Sequence, residues 1–167
     1  MTTHESAAVK ASKRIEAEPA QIFAVLSQPR RHVEFDGSGM LRGAITDEPI
    51  SAVGDVFAMK MHHEEFGDYE MNNRVVDFED NRRITWEPER RDIVADSWHY
   101  RWGYELAPDG AGATVVTEFF DLSRSPEEAR EATDDGTVWT EAIAASLDKL
   151  DELVVGEAAG PGSPQIA

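Results

Sequence analysis

The stretch TVWTEAIAASLDKLDELVV, residues 137–155, decides the fold. Its large apolar side chains recur at steps of three and four residues, which places them along one side of an α-helix. This stripe consists of Trp139, Ile143, Leu147, Leu150 and Val154. The opposite side carries Glu141, Asp148, Lys149 and Glu152. Because such a long apolar stripe must pack against a surface of similar size, we predict a C-terminal helix that lies across a sheet.

The upstream residues supply that sheet. Apolar and polar residues alternate with a period of two, which is typical of strands with one buried face. We predict strands at residues 9–15, 40–45, 56–62, 69–78, 83–87, 98–106 and 113–122. The segment WHYRWGYEL, residues 98–106, shows this alternation most clearly.

Short helices are predicted on both sides of the strand region. Pro19 suits the first position of a helix whose buried side is Ile22, Phe23 and Leu26, and Pro29 ends it. A second short helix at residues 30–35 ends at the turn DGSG, residues 36–39. The sequence SPEE, residues 125–128, predicts a capping box and a third short helix, which DDG at residues 134–136 separates from the C-terminal helix.

Composition limits the domain number and the class of partner. A chain of 167 residues suits one domain. We place it at residues 9–155, with flexible tails at 1–8 and 156–167. The absence of cysteine excludes disulfides and thiolate chemistry. The formal net charge of −17 argues against nucleic acid and anionic membranes as partners, because both attract cationic proteins.

The opening residues contain no apolar signal-peptide core, and no stretch approaches the roughly 20 apolar residues that a membrane span requires. We therefore expect a cytoplasmic protein.

The order of the predicted elements and one local sequence carry a resemblance to a known superfamily. That sequence is SKRIEAEPAQIFAVLSQPRRHVEFDGSG, residues 12–39, and further agreement comes from Gly54-Asp55, from residues 77–86 ending in Trp86, and from Asp109-Gly110. The chain resembles the START/Bet v-like helix-grip superfamily, in particular polyketide cyclase/dehydrase-type bacterial proteins of the SRPBCC group. The resemblance implies an α+β fold in which a curved seven-stranded antiparallel sheet wraps around the C-terminal helix, with two short helices after the first strand. It also implies a cavity between sheet and helix.

Strand parity identifies the residues that would line such a cavity. These predicted ligand-binding residues are Phe57, Met59, Met61, Tyr69, Met71, Asn73, Trp86, Tyr100, Trp102, Tyr104 and Glu118, closed by Trp139 and Ile143 from the helix. Aromatic and methionine side chains with few polar groups suit an apolar small-molecule pocket. The alternative is a filled core. Asn73 and Tyr69 either orient a ligand or satisfy a structural hydrogen bond.

Glu118 is the foremost catalytic candidate. If Ala107 pairs with Ala113 across the last hairpin, Glu118 faces Trp102 on the aromatic side of the sheet. A desolvated carboxyl there would have a raised pKa and could serve as a general acid or base. The alternatives are a place at the exposed margin or a structural hydrogen bond, and a register slip by one residue would turn Thr117 inward instead.

Tyr100 and His63 are the other catalytic candidates, because both can exchange protons and share the parity of the inner face. His62 and His63 point to opposite sides of a strand, so we predict no metal site. No phosphate-cradling loop or dinucleotide fingerprint is present, and we predict no cofactor.

Three functional hypotheses follow. The first is binding of a hydrophobic or aromatic small molecule, lipid or polyketide-like, in the cavity. The second is an enzyme of the polyketide cyclase/aromatase type that uses the same cavity without a metal or nucleotide. The third is a co-chaperone-like or toxin-like interaction module with a filled core. The predicted partner is a hydrophobic small molecule, with no nucleic acid or membrane. The sequence leaves the oligomeric state open between a monomer and a weak homodimer.

Overall fold

The structure is a computed structural model and describes residues 7–65, 67–91 and 98–159. Within these ranges the strands form one seven-stranded antiparallel sheet in the order β1-β7-β6-β5-β4-β3-β2. The strands are β1 (Ala7–Ile15), β2 (Leu41–Ala44), β3 (Val56–His63), β4 (Gly67–Glu79), β5 (Arg83–Arg90), β6 (Arg101–Pro108) and β7 (Thr114–Asp121). The helices are α1 (Pro19–Leu26), α2 (His32–Phe35), α3 (Glu127–Ala132) and α4 (Thr140–Ala159). The predicted α+β helix-grip fold is confirmed.

The C-terminal helix α4 packs as its apolar stripe predicts. Ile143, Leu147, Leu150 and Val154 are at most 2% exposed, and the helix crosses β1 and α2. On the polar side, Lys13 Nζ of β1 lies 2.7 Å from Asp148 Oδ1. Trp139 precedes α4 in a 3₁₀ turn, Thr137–Trp139, and packs against the core.

The first strand and the last helix extend past the bounds of 9 and 155 that the sequence predicts for the domain. Helix α4 continues past residue 155 to Ala159, and near its end Glu157 pairs with Arg31, which gives this last part of the helix a tertiary contact. At the other end, β1 begins at Ala7, which pairs with Asp121 of β7. Regular secondary structure therefore extends a few residues beyond the apolar periodicity.

The two short helices after β1 are confirmed, joined by a 3₁₀ turn at Pro29–Arg31. The capping box predicted at Ser125 does not form. Pro126 occupies the N-cap of α3, and the buried Ser125 Oγ has no hydrogen-bond partner within the described residues. The helix is present because Ala129 packs fully into the core.

The predicted register of the β6–β7 hairpin is wrong by two residues. Tyr104 pairs with Glu118 and Trp102 with Phe120, because the ladder continues to Pro108 and Thr114 before the loop closes. Since side chains alternate with a period of two, a shift by two residues changes the partner but keeps the face. Glu118 therefore stays on the aromatic side of the sheet.

Strand β6 also begins later than predicted, at Arg101 instead of residue 98. His99 has a φ of 56°, a left-handed conformation that is incompatible with an extended strand. On the outer face, Gly103 pairs with Phe119, which is fully buried. A Cβ on Gly103 would collide with the Phe119 ring and lie 2.8 Å from Thr85 Oγ1, so only glycine fits this position.

In the described part of the chain, no helix combines the length and the apolar character needed to cross a lipid bilayer.

Candidate functional site

A cavity of about 200 Å³ lies between the concave face of the sheet, α2 and the start of α4. The structure places every predicted ligand-binding residue in its lining: Phe57, Met59, Met61, Tyr69, Met71, Asn73, Trp86, Tyr100, Trp102, Tyr104, Glu118, Trp139 and Ile143. The sheet supplies most of these side chains and α4 closes the opposite side. The core is therefore not completely filled.

Sequence reasoning missed part of the lining: His32, Phe35, Asp36, Ser38, Met40, Leu41, Pro88, Ala142 and Ser146. Two signals could have found some of them. Pro88 continues the parity of Trp86 along β5, and Ala142 and Ser146 lie three and seven residues after Trp139, on the same side of the helix. The residues around α2 and the following loop show no periodicity that marks them as inward-facing.

Aromatic contacts hold one wall of the cavity in place. The His32 ring centroid lies 5.3 Å from that of Phe35, 5.5 Å from Phe57 and 5.6 Å from Trp86. Trp86 in turn stacks on Tyr104 at 6.1 Å. Aromatic rings in edge-to-face and stacked contacts restrict the rotation of one another's side chains. This wall is therefore formed without a ligand.

A second aromatic group forms the wall next to α4. Phe120 contacts Trp102 at 4.7 Å and Tyr100 at 5.4 Å between ring centroids. Trp102 meets Trp139 in an edge-to-face contact at 5.5 Å, which connects the sheet to the start of the helix. The Trp139 Nε1–H is buried and has no hydrogen-bond partner in the part of the chain that the structure describes.

His32 is an uncharged hydrogen-bonding group in the cavity. Its side chain is buried, and burial lowers its pKa to about 4. Nε2 lies 2.7 Å from the Leu26 carbonyl oxygen, which only accepts hydrogen bonds. The proton of the neutral ring therefore resides on Nε2, and Nδ1 is left as an acceptor.

Glu118 is the buried carboxyl of the cavity. It is 5% exposed, and Oε1 has no hydrogen-bond partner within the described ranges. Burial raises its pKa well above the ordinary value, and interaction with the Tyr104 hydroxyl opposes part of this rise. The negative charge of Asp36 raises the pKa further. Burial therefore favours the protonated, uncharged form of the Glu118 carboxyl.

Burial also favours the protonated form of two tyrosines, Tyr104 in β6 and Tyr100 one residue before it. Burial raises the pKa of Tyr100 to about 12. Burial and the neighbouring Glu118 raise the pKa of Tyr104 well above its ordinary value. Both hydroxyl groups can therefore act as hydrogen-bond donors.

The loop after α2, residues 36–40, lines the cavity and is held by hydrogen bonds within the loop, to Leu41 and to α4. Asp36 Oδ1 accepts hydrogen bonds from Ser38 N at 3.0 Å and Ser38 Oγ at 2.7 Å, and Oδ2 accepts one from Leu41 N at 3.0 Å. Gly37 N donates to Ser146 Oγ of α4 at 2.8 Å. A Cβ on Gly37 would lie 2.6 Å from Ser146 N, so the close approach of this loop to the helix requires glycine.

The other polar residues of the inner face have structural contacts. Asn73 Nδ2 donates to the Phe57 carbonyl oxygen at 3.3 Å, which leaves its second N–H and its carbonyl oxygen for other partners. The Arg90 guanidinium lies 4.7 Å from the Tyr69 ring centroid, in a cation–π contact. A ligand-orienting role for Asn73 and Tyr69 stays a prediction.

The structure does not place His63 in the cavity lining. Its Nδ1 accepts a hydrogen bond from Glu65 N at 3.1 Å in the turn that follows β3. Its neighbour His62 pairs with Asp68 at 2.7 Å. Across residues 7–65, 67–91 and 98–159, no group of three or more His, Cys, Asp or Glu side chains is arranged to hold a metal ion.

Some known proteins are similar to this chain in sequence, and others are similar in fold. The family described as "Polyketide cyclase / dehydrase and lipid transport" matches residues 6–155. An uncharacterised protein of Mycobacterium tuberculosis, Rv0088, is 34% identical over 114 residues, which represent 68% of this chain and 46% of that protein. The matched region thus spans about half the length of this relative.

Solved structures show the same fold at low sequence identity. A protein from Arthrobacter aurescens has a TM-score of 0.67 and 14% identity, covering 92% of this chain and 87% of that one. Protein NE0264 from Nitrosomonas europaea has a TM-score of 0.65 and 14% identity, with 90% and 96% covered. Because the family match runs from the edge of β1 into α4 and the helix-grip fold agrees, this chain belongs to the polyketide cyclase/dehydrase and lipid transport family.

Proposed function

We propose that the protein binds a hydrophobic or aromatic small molecule in the cavity between the sheet and α4. The observation that carries this proposal is a cavity of about 200 Å³ whose lining is mainly aromatic rings and methionines. Transfer of apolar ligand surface out of water supplies affinity, and a few polar groups fix the orientation. The family description, which includes lipid transport, points to the same class of ligand.

The size of the cavity favours a compact ligand. A cavity of about 150 Å³ in another protein holds one benzene molecule. A cavity of about 200 Å³ therefore suits a ligand with a single aromatic ring, with two fused rings, or with a short branched acyl chain. A long lipid or a full polyketide chain would have to extend beyond the enclosed space.

Ligand binding is tested by native mass spectrometry of the purified protein, followed by thermal-shift measurements with compact aromatic and acyl compounds. A ligand that binds only the folded state raises the melting temperature in proportion to the logarithm of its concentration once it is in excess. Absence of a co-purified ligand together with no shift across the panel would contradict the proposal.

A matched pair of variants on α4 locates the site. Ala142 lines the cavity, whereas Ala144 is exposed on the same helix. Ala142→Leu should fill the cavity and abolish the ligand-induced shift, and Ala144→Leu should preserve it. Equal shifts in the two variants would place the ligand elsewhere.

A second candidate function is proton-transfer catalysis of the cyclase or dehydratase type, and the buried Glu118 favours it. Aldol closure of a ketone chain requires a proton to be taken from carbon and another to be delivered to a carbonyl oxygen. Glu118 can deliver the proton to the carbonyl oxygen, and the Tyr100 hydroxyl can donate a hydrogen bond to the same oxygen. The unprotonated Nδ1 of His32, which also lines the cavity, can accept the proton taken from carbon. Glu118→Gln should lower turnover while largely preserving substrate affinity, whereas an unchanged turnover would exclude this role.

The interaction-module hypothesis predicts a filled core. The cavity favours ligand binding over that hypothesis.

A further inference from the structure

We propose that the cavity selects an uncharged ligand, whose carbonyl or hydroxyl oxygen accepts a hydrogen bond from the Glu118 carboxyl, and that it rejects carboxylates and phosphates. This inference rests on the proposed ligand-binding function and names the chemical class of the ligand.

The charges around the cavity provide the first argument. None of the described residues that line it is lysine or arginine, and two of them, Asp36 and Glu118, are acidic. An anionic ligand would leave water without a cation to pair with, and it would approach Asp36. Burial of an unpaired charge is strongly unfavourable, and a neighbouring like charge adds repulsion.

Two cations that contact lining residues, Arg90 and Lys149, lie outside the cavity. Arg90 is on the same face of β5 as Trp86, but its guanidinium lies over the Tyr69 ring and is not part of the lining. Lys149 Nζ donates to the Asp36 carbonyl oxygen at 3.1 Å, on the α4 side of the loop. Neither side chain is placed inside the cavity to neutralise an anion.

The polar groups inside the cavity provide the second argument. Glu118 lines the cavity, and its buried Oε1 has no hydrogen-bond partner within the described residues, so the carboxyl has hydrogen-bonding capacity that these residues do not use. The groups next to it are Tyr104 and the Asp36 carboxylate, and Asp36 already accepts three hydrogen bonds from its own loop.

His32 completes the set with an acceptor, Nδ1, because Nε2 is held by the Leu26 carbonyl oxygen. Together with the Asn73 carbonyl oxygen, the cavity therefore offers both uncharged donors and uncharged acceptors, which suits a ketone or an alcohol.

The test is a head-group series on one apolar scaffold, measured by isothermal titration calorimetry at pH 7. The probes are 2-acetylnaphthalene, 2-naphthylmethanol, 2-naphthoate and 2-naphthylmethylammonium. We expect the ketone and the alcohol to bind and the carboxylate to bind at least about tenfold more weakly, a difference of about 1.4 kcal/mol. Equal or tighter binding of the carboxylate or the ammonium would overturn the inference while leaving the proposed function intact. No binding by any probe would overturn both.

Two variants test whether a charged side chain, Glu118 or Arg90, sets the order of ligand affinities. Glu118→Gln cannot ionise but still donates a hydrogen bond, so the order of affinities should match that of the wild type. A gain in carboxylate affinity in this variant would show that Glu118 is ionised in the native cavity and would overturn the inference. Arg90→Gln should also keep the order, whereas loss of a wild-type carboxylate affinity in that variant would show that anions are recruited by Arg90.

Discussion

The free energy of unfolding should depend on pH through Glu118, and Glu118→Gln should remove that dependence. Burial raises the pKa of Glu118 well above its ordinary 4.5 in the folded protein, whereas the unfolded chain regains the ordinary value. Between these two pKa values the folded state holds a proton that the unfolded state releases. Stability from this proton is therefore fully present below pH 4.5 and is lost as the pH rises toward the folded-state pKa.

One proton of difference changes the free energy of unfolding by about 1.4 kcal/mol per pH unit. Between pH 5.5 and pH 7.0 the wild type should therefore lose up to about 2 kcal/mol relative to Glu118→Gln. The assay is urea unfolding of both proteins at several pH values. The difference between their free energies cancels the titration of groups that the substitution leaves unaffected.

Glu152→Gln is the control, because Glu152 is exposed on α4. Its difference from the wild type shows how much of any slope comes from removing an exposed acidic side chain. The reasoning would be refuted if the Glu118→Gln difference did not change with pH, since Glu118 would then titrate alike in the folded and unfolded states.

Three further predictions concern His32 and two close backbone contacts. Burial lowers the pKa of His32 from 6.5 to about 4. As the pH falls through that interval, the free energy of unfolding of the wild type should therefore decrease by about 3 kcal/mol relative to that of His32→Gln. Urea unfolding measures this difference, and a difference that does not change with pH would contradict the prediction. Gly37→Ala should destabilise the protein by about 1–3 kcal/mol, because the loop must move off α4, whereas Gly43→Ala, which meets no atom within 4 Å, should change stability by less than about 0.5 kcal/mol. Gly103→Ala should lower the free energy of unfolding by a similar amount, because the new Cβ clashes with Phe119. In a double-mutant cycle, Phe119→Leu should restore part of this loss, whereas additive effects of the two substitutions would refute the contact.

Strand parity is the part of the site that the sequence predicts well. Glu118 shows why, because its predicted partner was Trp102 and its observed partner is Tyr104, yet its side chain lies on the inner face in both registers. The assignment of a residue to a face needs only the period of two, whereas the assignment of a partner needs the exact position of the hairpin loop, which lies one residue later than predicted. That loop closes through Gly110 and Gly112, both with positive φ, in a conformation that the sequence alone did not specify.

The wall formed by α2 and the following loop could not be predicted in the same way. His32 lies in a helix of four residues, too short for a periodic signal, and the contacts of its ring come from distant strands. The position of the loop depends on Gly37 meeting Ser146 of α4, more than a hundred residues later. Tertiary contacts of this kind fix a side chain without leaving a local sequence pattern.

Burial favours the uncharged forms of both Glu118 and His32 inside the cavity. Below pH 6.5 His32 gains a proton in the unfolded chain but not in the folded protein, where it is buried. The free energy of unfolding therefore decreases as the pH falls. Above pH 4.5 the unfolded chain loses a proton that buried Glu118 retains, which destabilises the fold as the pH rises. Just above pH 4.5 these two slopes have opposite sign, so they oppose each other. An apolar side chain at either position would remove this cost and would also remove a hydrogen-bonding group from the cavity. That a chain tolerates both buried groups is what we expect if an uncharged ligand needs them.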